Sequence, residues 1–126
     1  VLNEGVDSNG GLINEKIDGE MHDPDKDWWP QAEAVVGFIH AYQISGNICY
    51  LHAATNCWKF IQNCMIDHTY GEWFEKTDRN GKAFSTMDKV RSWKGPYHNM
   101  RMVLEVVNRV DSLLAGEGER IPAPKH

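Results

Sequence analysis

The stretch that decides the fold is WWPQAEAVVGF, residues 28–38, in which two tryptophans and a proline lead directly into a regular apolar pattern. Pro30 suits the first turn of a helix, because its missing N–H would have no partner there. The pattern predicts a helix over 30–45 that stops at Gly46. One face of this helix should pack against the rest of the molecule, and it carries Ala32, Val35, Val36 and Ile39.

Glu33 falls on a neighbouring face of this helix with Gly37 and His40, beside Trp28 and Trp29. A carboxylate next to two flat aromatic rings suits a bound sugar, whose C–H faces lie on aromatic rings and whose hydroxyls need a charged or amide partner. The same residues also fit a helix start in which the tryptophans only pack and Glu33 is a solvated acid favoured by the helix dipole. The pattern alone leaves both interpretations open.

The composition indicates a globular protein with one domain. The chain has 126 residues, of which 41% are apolar and 10% aromatic, enough to form a core. The formal net charge of -5, with acids and bases interspersed, argues against nucleic acid or an anionic membrane as a partner. No apolar run approaches the length of a membrane span and the first residues do not form a signal peptide, so we predict a cytoplasmic protein, unless a preceding signal has been removed.

Three cysteines, Cys49, Cys57 and Cys64, fall on one predicted helix. A rise of 1.5 Å per residue separates Cys57 from Cys64 by about 10 Å, too far for a disulfide. We therefore predict buried thiols of a reducing compartment. A metal site formed by Cys49, His52 and Cys57 is a minor alternative, because the sequence has neither a CxxC pair nor an HExxH motif.

Turn and cap signals divide the rest of the chain. They predict a short strand over 12–17 before the Asp18–Gly19 turn, an acidic loop over 21–27, a second helix over 48–65 capped by Asn47, a hairpin at Asn80–Gly81 with a return strand over 82–85, and a third helix from Pro96 to Gly116. In the third helix Glu105 and Arg109 should pair. Its buried stripe should consist of Val103, Val106, Val107, Val110, Leu113 and Leu114. We expect residues 116–126 to form a flexible tail.

The loop before the third helix reads SWKGPYHNMR, residues 92–101, and places His98 in the first helical turn. An imidazole with a pKa of about 6.5 gives or takes a proton near neutral pH, and the positive end of the helix dipole favours its neutral form. A histidine in this position is also commonly a hydrogen-bonded structural residue. The helices that start at Pro30 and Pro96 share one design, so Glu33 and His98 should lie at the same end of the fold.

Three strings closely resemble, in this order and spacing, the carboxy-terminal third of the N-acylglucosamine 2-epimerase superfamily, specifically its cellobiose 2-epimerase branch. They are WWPQAEAVVGF at 28–38, YGEWF at 70–74 and WKGPYHNMR at 93–101, and the resemblance runs from about residue 10 to residue 114. It implies a mainly α fold in which residues 1–115 form the carboxy-terminal part of an (α/α)6 barrel with a short β-hairpin between helices. Gln31 favours the cellobiose branch, whereas Gly95 and Met100 replace the cysteine and serine that are usual there.

The resemblance implies epimerisation at carbon 2 of an aldose, in a monosaccharide or disaccharide, without a cofactor or metal. His98 matches the family histidine of the last loop-to-helix motif, and Glu33 matches the acid that hydrogen-bonds the reacting sugar. Trp29 and Trp93 match tryptophans that contact sugar rings, and Trp28 is a further candidate for the lining. The family's second histidine lies in segments that this sequence does not contain. We therefore expect the isolated chain to be inactive and to self-associate through exposed helix faces.

Three other functions remain open. An aldose–ketose isomerase of the same superfamily would share the proton abstraction and return the proton elsewhere. A glycoside hydrolase on an α/α barrel would need two carboxyls about 6.5 to 9.5 Å apart, here Glu33 and Glu72, on either side of a water. The third is a non-catalytic carbohydrate-binding module.

Overall fold

The structure, a computed structural model, describes residues 1–116, and its central element is the helix that follows the tryptophan pair. This helix, α1, spans Trp28–Ser45, two residues longer at its start than predicted, so Pro30 still lies in the first turn. It ends at Gly46, whose φ of 67° lets its N–H donate to the carbonyl oxygen of Tyr42 at 2.8 Å. The four predicted core positions are all buried: Ala32, Val35, Val36 and Ile39.

The second helix, α2, spans Ile48–Phe60 and continues as a π-helical turn, Ile61–Met65. Asn47 caps it as predicted, because its side-chain oxygen accepts the N–H of Cys49 at 3.0 Å. Its buried side chains join those of α1 in one hydrophobic core, and they are Ala53, Ala54, Cys57, Phe60, Ile61 and Met65. The antiparallel pair of α1 and α2 thus supplies most of the core.

The prediction of buried thiols holds only in part. Cys57 is buried, and burial raises the pKa of its thiol to about 12. Cys64 is half-buried, but Cys49 is exposed because it lies on the solvent side of the first turn of α2, whereas Tyr50 of the same turn packs on Phe38. The minor metal alternative is wrong, since Cys49 and His52 face solvent while Cys57 faces the core. In residues 1–116 no three His, Cys, Asp or Glu side chains are grouped to hold a metal ion.

The third helix, α3, spans Tyr97–Leu114 directly after Pro96, and its predicted Glu105–Arg109 pair is present at 3.2 Å. The predicted buried stripe is wrong. Met102 is 2% exposed, whereas four members of the stripe are 38% to 82% exposed: Val103, Val107, Val110 and Leu114. Val106 and Leu113 are partly buried. The physical reason is that α3 packs on the core through the side that carries Met102. Nothing else in residues 1–116 covers the side that carries Val103, Val107 and Val110, here called the valine face.

Three short strands precede α1, and the first two form an antiparallel hairpin. Strand β1 spans Glu15–Ile17 and strand β2 spans Glu20–Asp23, joined by the predicted turn at Asp18–Gly19. The predicted acidic loop over 21–27 is therefore wrong, because it contains most of β2 and also β3, Lys26–Asp27. Strand β1 lies within the strand predicted over 12–17. Strand β2 escaped prediction because its side chains are mostly polar and exposed, so it shows no apolar alternation.

Strand β3 pairs antiparallel with β4, Lys76–Thr77, which links the start of α1 to the segment after α2. The predicted hairpin at Asn80–Gly81 follows β4, and Gly81 has a φ of 90°. The predicted return strand over 82–85 is reduced to one bridge, Thr77 with Ala83. A strand of two residues that is already paired with β3 offers little edge for a longer return.

The longest helices of the described chain, α1 and α3, have 18 residues each. No helix in residues 1–116 is long and apolar enough to cross a membrane. Of the predicted tail only Gly116 is described, and the rest lies outside the described residues.

Candidate functional site

Glu33 of α1 contacts two side chains of α3. The Nδ1 atom of His98 lies 2.9 Å from its Oε1, and Nη1 of Arg101 donates to its Oε2 at 2.6 Å. His98 and Arg101 share a face of α3 because residues three apart on a helix are neighbours. The prediction that Glu33 and His98 lie at the same end of the fold is confirmed.

Aromatic rings surround His98. The ring of Trp28 meets it edge-on with centroids 6.4 Å apart, and the ring of Trp29 lies 5.9 Å away at 40°. Tyr97 contacts the imidazole from a third side at 5.1 Å. Trp28 is 6% exposed and forms a buried wall, whereas Trp29 is 45% exposed. Trp29 therefore has an open aromatic surface beside the Glu33–His98 pair.

Trp93 does not contact the aromatic rings around His98. It is 84% exposed on the loop before α3, and it takes part in none of the ring contacts found within residues 1–116. Its indole is nonetheless carried on the same loop-to-helix junction as His98, only five residues away.

Ion pairs fasten the loop that carries Trp93. Lys89 bonds the carboxylate of Asp67, and this bond, with those from nearby backbone N–H groups, lowers the pKa of that carboxyl to about 2. Arg91 donates to Glu75 at 2.8 Å and lowers the pKa of Glu75 against the opposing effect of burial. The loop is therefore anchored to the segment that follows α2.

Sequence reasoning missed two cations at this site. Arg101 could have been found, because it lies in the WKGPYHNMR string three residues after His98. Lys94 could not, because nothing in the sequence indicates that it is 0% exposed. Burial lowers the pKa of Lys94, an effect that the neighbouring Glu72 opposes. Lys94 Nζ lies 5.5 Å from the centroid of the Trp28 ring.

His40 shares the Glu33 face of α1 but belongs to another contact group. Its Nδ1 lies 2.9 Å from Nη1 of Arg109, well along α3 from His98. Glu33 also borders an open depression of about 750 Å³ that is lined by Gly37 and Phe38 among others. Among the histidines of residues 1–116, His98 alone contacts Glu33.

Comparison with known proteins identifies the family. Residues 1–101 match the family model of N-acylglucosamine 2-epimerase (GlcNAc 2-epimerase). The chain belongs to this family. The match includes α1, α2 and all three strings that carry the resemblance, so both contact partners of Glu33 fall within it.

Individual family members are similar at both sequence and structure level. The chain is 46% identical over 111 residues to a cellobiose 2-epimerase of Dictyoglomus turgidum, covering 87% of this chain and 28% of that protein. It is 34% identical over 90 residues to a D-mannose isomerase of Marinomonas mediterranea, covering 71% of this chain and 23% of the relative. A crystal structure of a sugar epimerase from a ruminal bacterium superposes with a TM-score of 0.78 at 39% identity, over 85% of this chain and 27% of that one.

The structural match confirms the predicted fold class. The chain is mainly α with short β-hairpins and corresponds to part of an (α/α)6 barrel. It spans about a quarter of the length of the curated relatives that it matches. The exposed apolar face of α3 is consistent with this partial coverage.

Proposed function

We propose that this chain is part of a sugar 2-epimerase that inverts carbon 2 of the reducing-end aldose in a cellobiose-like or N-acylglucosamine-like sugar. In this reaction the sugar ring opens, a base removes the proton next to the carbonyl, and a second group returns a proton to the other face of the enediolate. The observation that carries the proposal is the contact between Glu33 and His98 beside the open ring of Trp29.

His98 is the proposed base of this half of the site. Its Nδ1 faces the Glu33 carboxylate, which accepts a hydrogen and so fixes the tautomer in which Nε2 is unprotonated. Nε2 then takes the proton from carbon 2. The imidazolium that forms is stabilised by the Glu33 carboxylate, so the proton transfer does not leave an uncompensated charge.

Glu33 and the tryptophans have supporting roles in this proposal. Arg101 holds the second oxygen of Glu33, which keeps the carboxylate oriented toward His98 and toward sugar hydroxyls. Trp29 offers an apolar surface to the sugar ring, and Trp93 would add a second one from its exposed position. Trp28 supports the imidazole from its buried side.

The proposed reaction needs proton transfer on both faces of carbon 2. Only one histidine of the described residues lies at Glu33, and the chain spans 28% of the cellobiose 2-epimerase that it resembles. We therefore expect the isolated chain not to epimerise sugars. Incubation of the purified chain with cellobiose, glucose, mannose and N-acetylglucosamine should yield no carbon 2 epimer by chromatography. Turnover comparable with that of the full-length protein would show that both proton carriers are in this chain.

The proposal is tested in the full-length protein by exchange of the carbon 2 proton with heavy water. His98→Asn should preserve the shape and reduce exchange by about a hundredfold or more. His40→Asn is the matched control, because His40 is exposed and pairs with Arg109 instead of Glu33. Near-normal exchange in His98→Asn would refute the role of His98.

An aldose–ketose isomerase is the second candidate, and the similarity to a D-mannose isomerase supports it. Both reactions use the same proton abstraction, so His98 would be the base in either. Analysis of the products separates them: an epimerase forms the carbon 2 epimer, and an isomerase forms a ketose.

The other two alternatives have less support. The Oε1 atom of Glu72 accepts a hydrogen bond from Asn99 at 2.8 Å, and both oxygens of Glu33 contact donors. An inverting hydrolase needs one of the two carboxyls to carry a proton and the other to hold a water. The donors that already contact Glu33 and Glu72 occupy the oxygen atoms that these roles require. A carbohydrate-binding module would be indicated if the full-length protein bound sugar without exchanging the carbon 2 proton.

A further inference from the structure

The YGEWF string is the part of the sequence that the proposed reaction leaves without a role. Its central residue, Glu72, has a φ of 63°, in the left-handed region. Glycine, asparagine and aspartate adopt this conformation more readily than glutamate does. A glutamate kept in a strained conformation indicates that its longer side chain is needed at this place.

The carboxylate of Glu72 binds two residues of the loop and helix that carry His98. Its Oε1 accepts a hydrogen bond from Nδ2 of Asn99 at 2.8 Å and lies 3.4 Å from Nζ of Lys94. Asn99 is 8% exposed and is the next residue after His98. A single oxygen atom therefore ties the loop before α3 to the first turn of α3.

Lys94 extends this group to the aromatic wall. Its Nζ donates to the carbonyl oxygen of Lys89 at 2.6 Å and lies over the ring of Trp28, 5.5 Å from the centroid. Trp28 in turn contacts His98. The Lys94–Glu72 ion pair therefore contacts two neighbours of His98. Glu72 binds Asn99, the next residue in the chain, and Lys94 packs on Trp28, whose ring contacts the imidazole.

We propose that Glu72, Lys94 and Asn99 form a positioning unit that holds His98 against Glu33. This inference rests on the proposed function, because it assigns the unit to the same proton transfer. Loss of the unit frees the first turn of α3 to shift, and a shift of about 1 Å at a reacting group is enough to cost about a hundredfold in rate. Lys94 and Asn99 are buried and offer little surface to a sugar, so substrate affinity should change little.

A matched control exists in the same chain. Lys26 is also 0% exposed, donates to a carboxylate oxygen of Asp7 at 3.0 Å and to the carbonyl oxygen of Arg79 at 2.7 Å, and lies 5.7 Å from the centroid of the Phe60 ring. Its partners are of the same kinds as those of Lys94, namely a carboxylate, a backbone carbonyl and an aromatic ring. The difference is that Trp28 contacts His98 and Glu72 binds Asn99, whereas Asp7, Arg79 and Phe60 contact neither residue. Lys26→Met therefore reports the cost of losing a buried lysine without loss of the positioning unit.

The test compares Lys94→Met, Asn99→Ala and Lys26→Met in the full-length protein, with rates corrected for the folded fraction. The first two should lower kcat for carbon 2 proton exchange at least about tenfold with KM changed less than about threefold, whereas Lys26→Met should lower the Tm and leave kcat unchanged. Asn99→Ala removes one hydrogen bond, so it keeps the test valid if Lys94→Met fails to fold.

A second measurement does not depend on activity. The Nδ1–H resonance of His98, assigned with His98→Asn, should be protected from solvent exchange in the starting protein and in Lys26→Met. In Lys94→Met and Asn99→Ala it should broaden or disappear. A normal kcat together with a protected resonance in both variants would overturn the positioning unit. A full-length protein that exchanges no sugar proton but shows this pattern of resonances would refute the proposed function alone.

Discussion

Replacement of Met102 by alanine tests the way α3 is attached to the rest of the chain. Met102 is 2% exposed and is the apolar side chain of α3 that the core buries, whereas Val107 is 52% exposed on the face that the sequence pattern predicted to be buried. The two substitutions therefore report on two different orientations of the same helix.

The expected magnitudes follow from these exposures. A fully buried methionine replaced by alanine costs about 2 to 5 kcal/mol. Met102 borders an open groove of about 360 Å³ between the three helices, so water and neighbouring side chains can fill part of the space, and we expect about 2 to 3 kcal/mol. Val107→Ala removes two methyl groups that are half in water, a loss of about 0.8 kcal/mol. The better helix propensity of alanine offsets about 0.5 kcal/mol of this loss.

Urea unfolding followed by circular dichroism, at several low protein concentrations, measures both values on the isolated chain. Met102→Ala should lower the free energy of unfolding by about 2 to 3 kcal/mol, and Val107→Ala by less than about 0.5 kcal/mol. If Val107→Ala costs as much as Met102→Ala at every concentration, the valine face is buried within the monomer. The orientation of α3 described above would then be wrong, and with it the contacts of His98.

Three further predictions concern the isolated chain. Its exposed α3 face should drive concentration-dependent association, measured by light scattering. Val107→Glu should weaken this association, whereas Val90→Glu, at an exposed valine outside α3, should not. A monodisperse monomer at high concentration would contradict the prediction. Cys49 should react rapidly with a thiol reagent at pH 8 and Cys57 only on unfolding, because burial raises the Cys57 pKa to about 12; mass spectrometry of the labelled peptides gives the order. The pKa of Asp67 is lowered to about 2, so its ion pair stabilises the fold above about pH 4 and is lost as the pH falls toward 2; Asp67→Asn should abolish this acid transition in tryptophan fluorescence.

Local signals in the sequence were sufficient for the helices and for the meeting of Glu33 with His98. Proline at the start, Gly46 at the end and Asn47 as a cap mark where α1 and α2 begin and stop, and each acts over a few residues. The two helix starts resemble each other, and this similarity predicted that their side chains converge.

Two of the failures have a common physical cause, since they concern partners distant in the sequence. Strand β3 pairs with β4 about 50 residues away, and neither strand has an apolar pattern of its own. The valine stripe of α3 correctly indicates an apolar face, but periodicity does not say what covers that face. Nothing in residues 1–116 fully covers it, so Val103, Val107 and Val110 are 38% to 52% exposed.

The two carboxylates of the site explain why the WKGPYHNMR string contains four hydrogen-bonding side chains in a fixed order. His98 and Arg101 contact Glu33 on α1, while Lys94 and Asn99 contact Glu72 after α2. Because successive residues on a helix point about 100° apart, His98 and Asn99 cannot face the same carboxylate. The first turn of α3 is thus fixed from two directions, and rotation about the helix axis would break one contact or the other. Burial of Met102 one turn further along α3 opposes the same rotation, so the two carboxylates and the core together orient the imidazole.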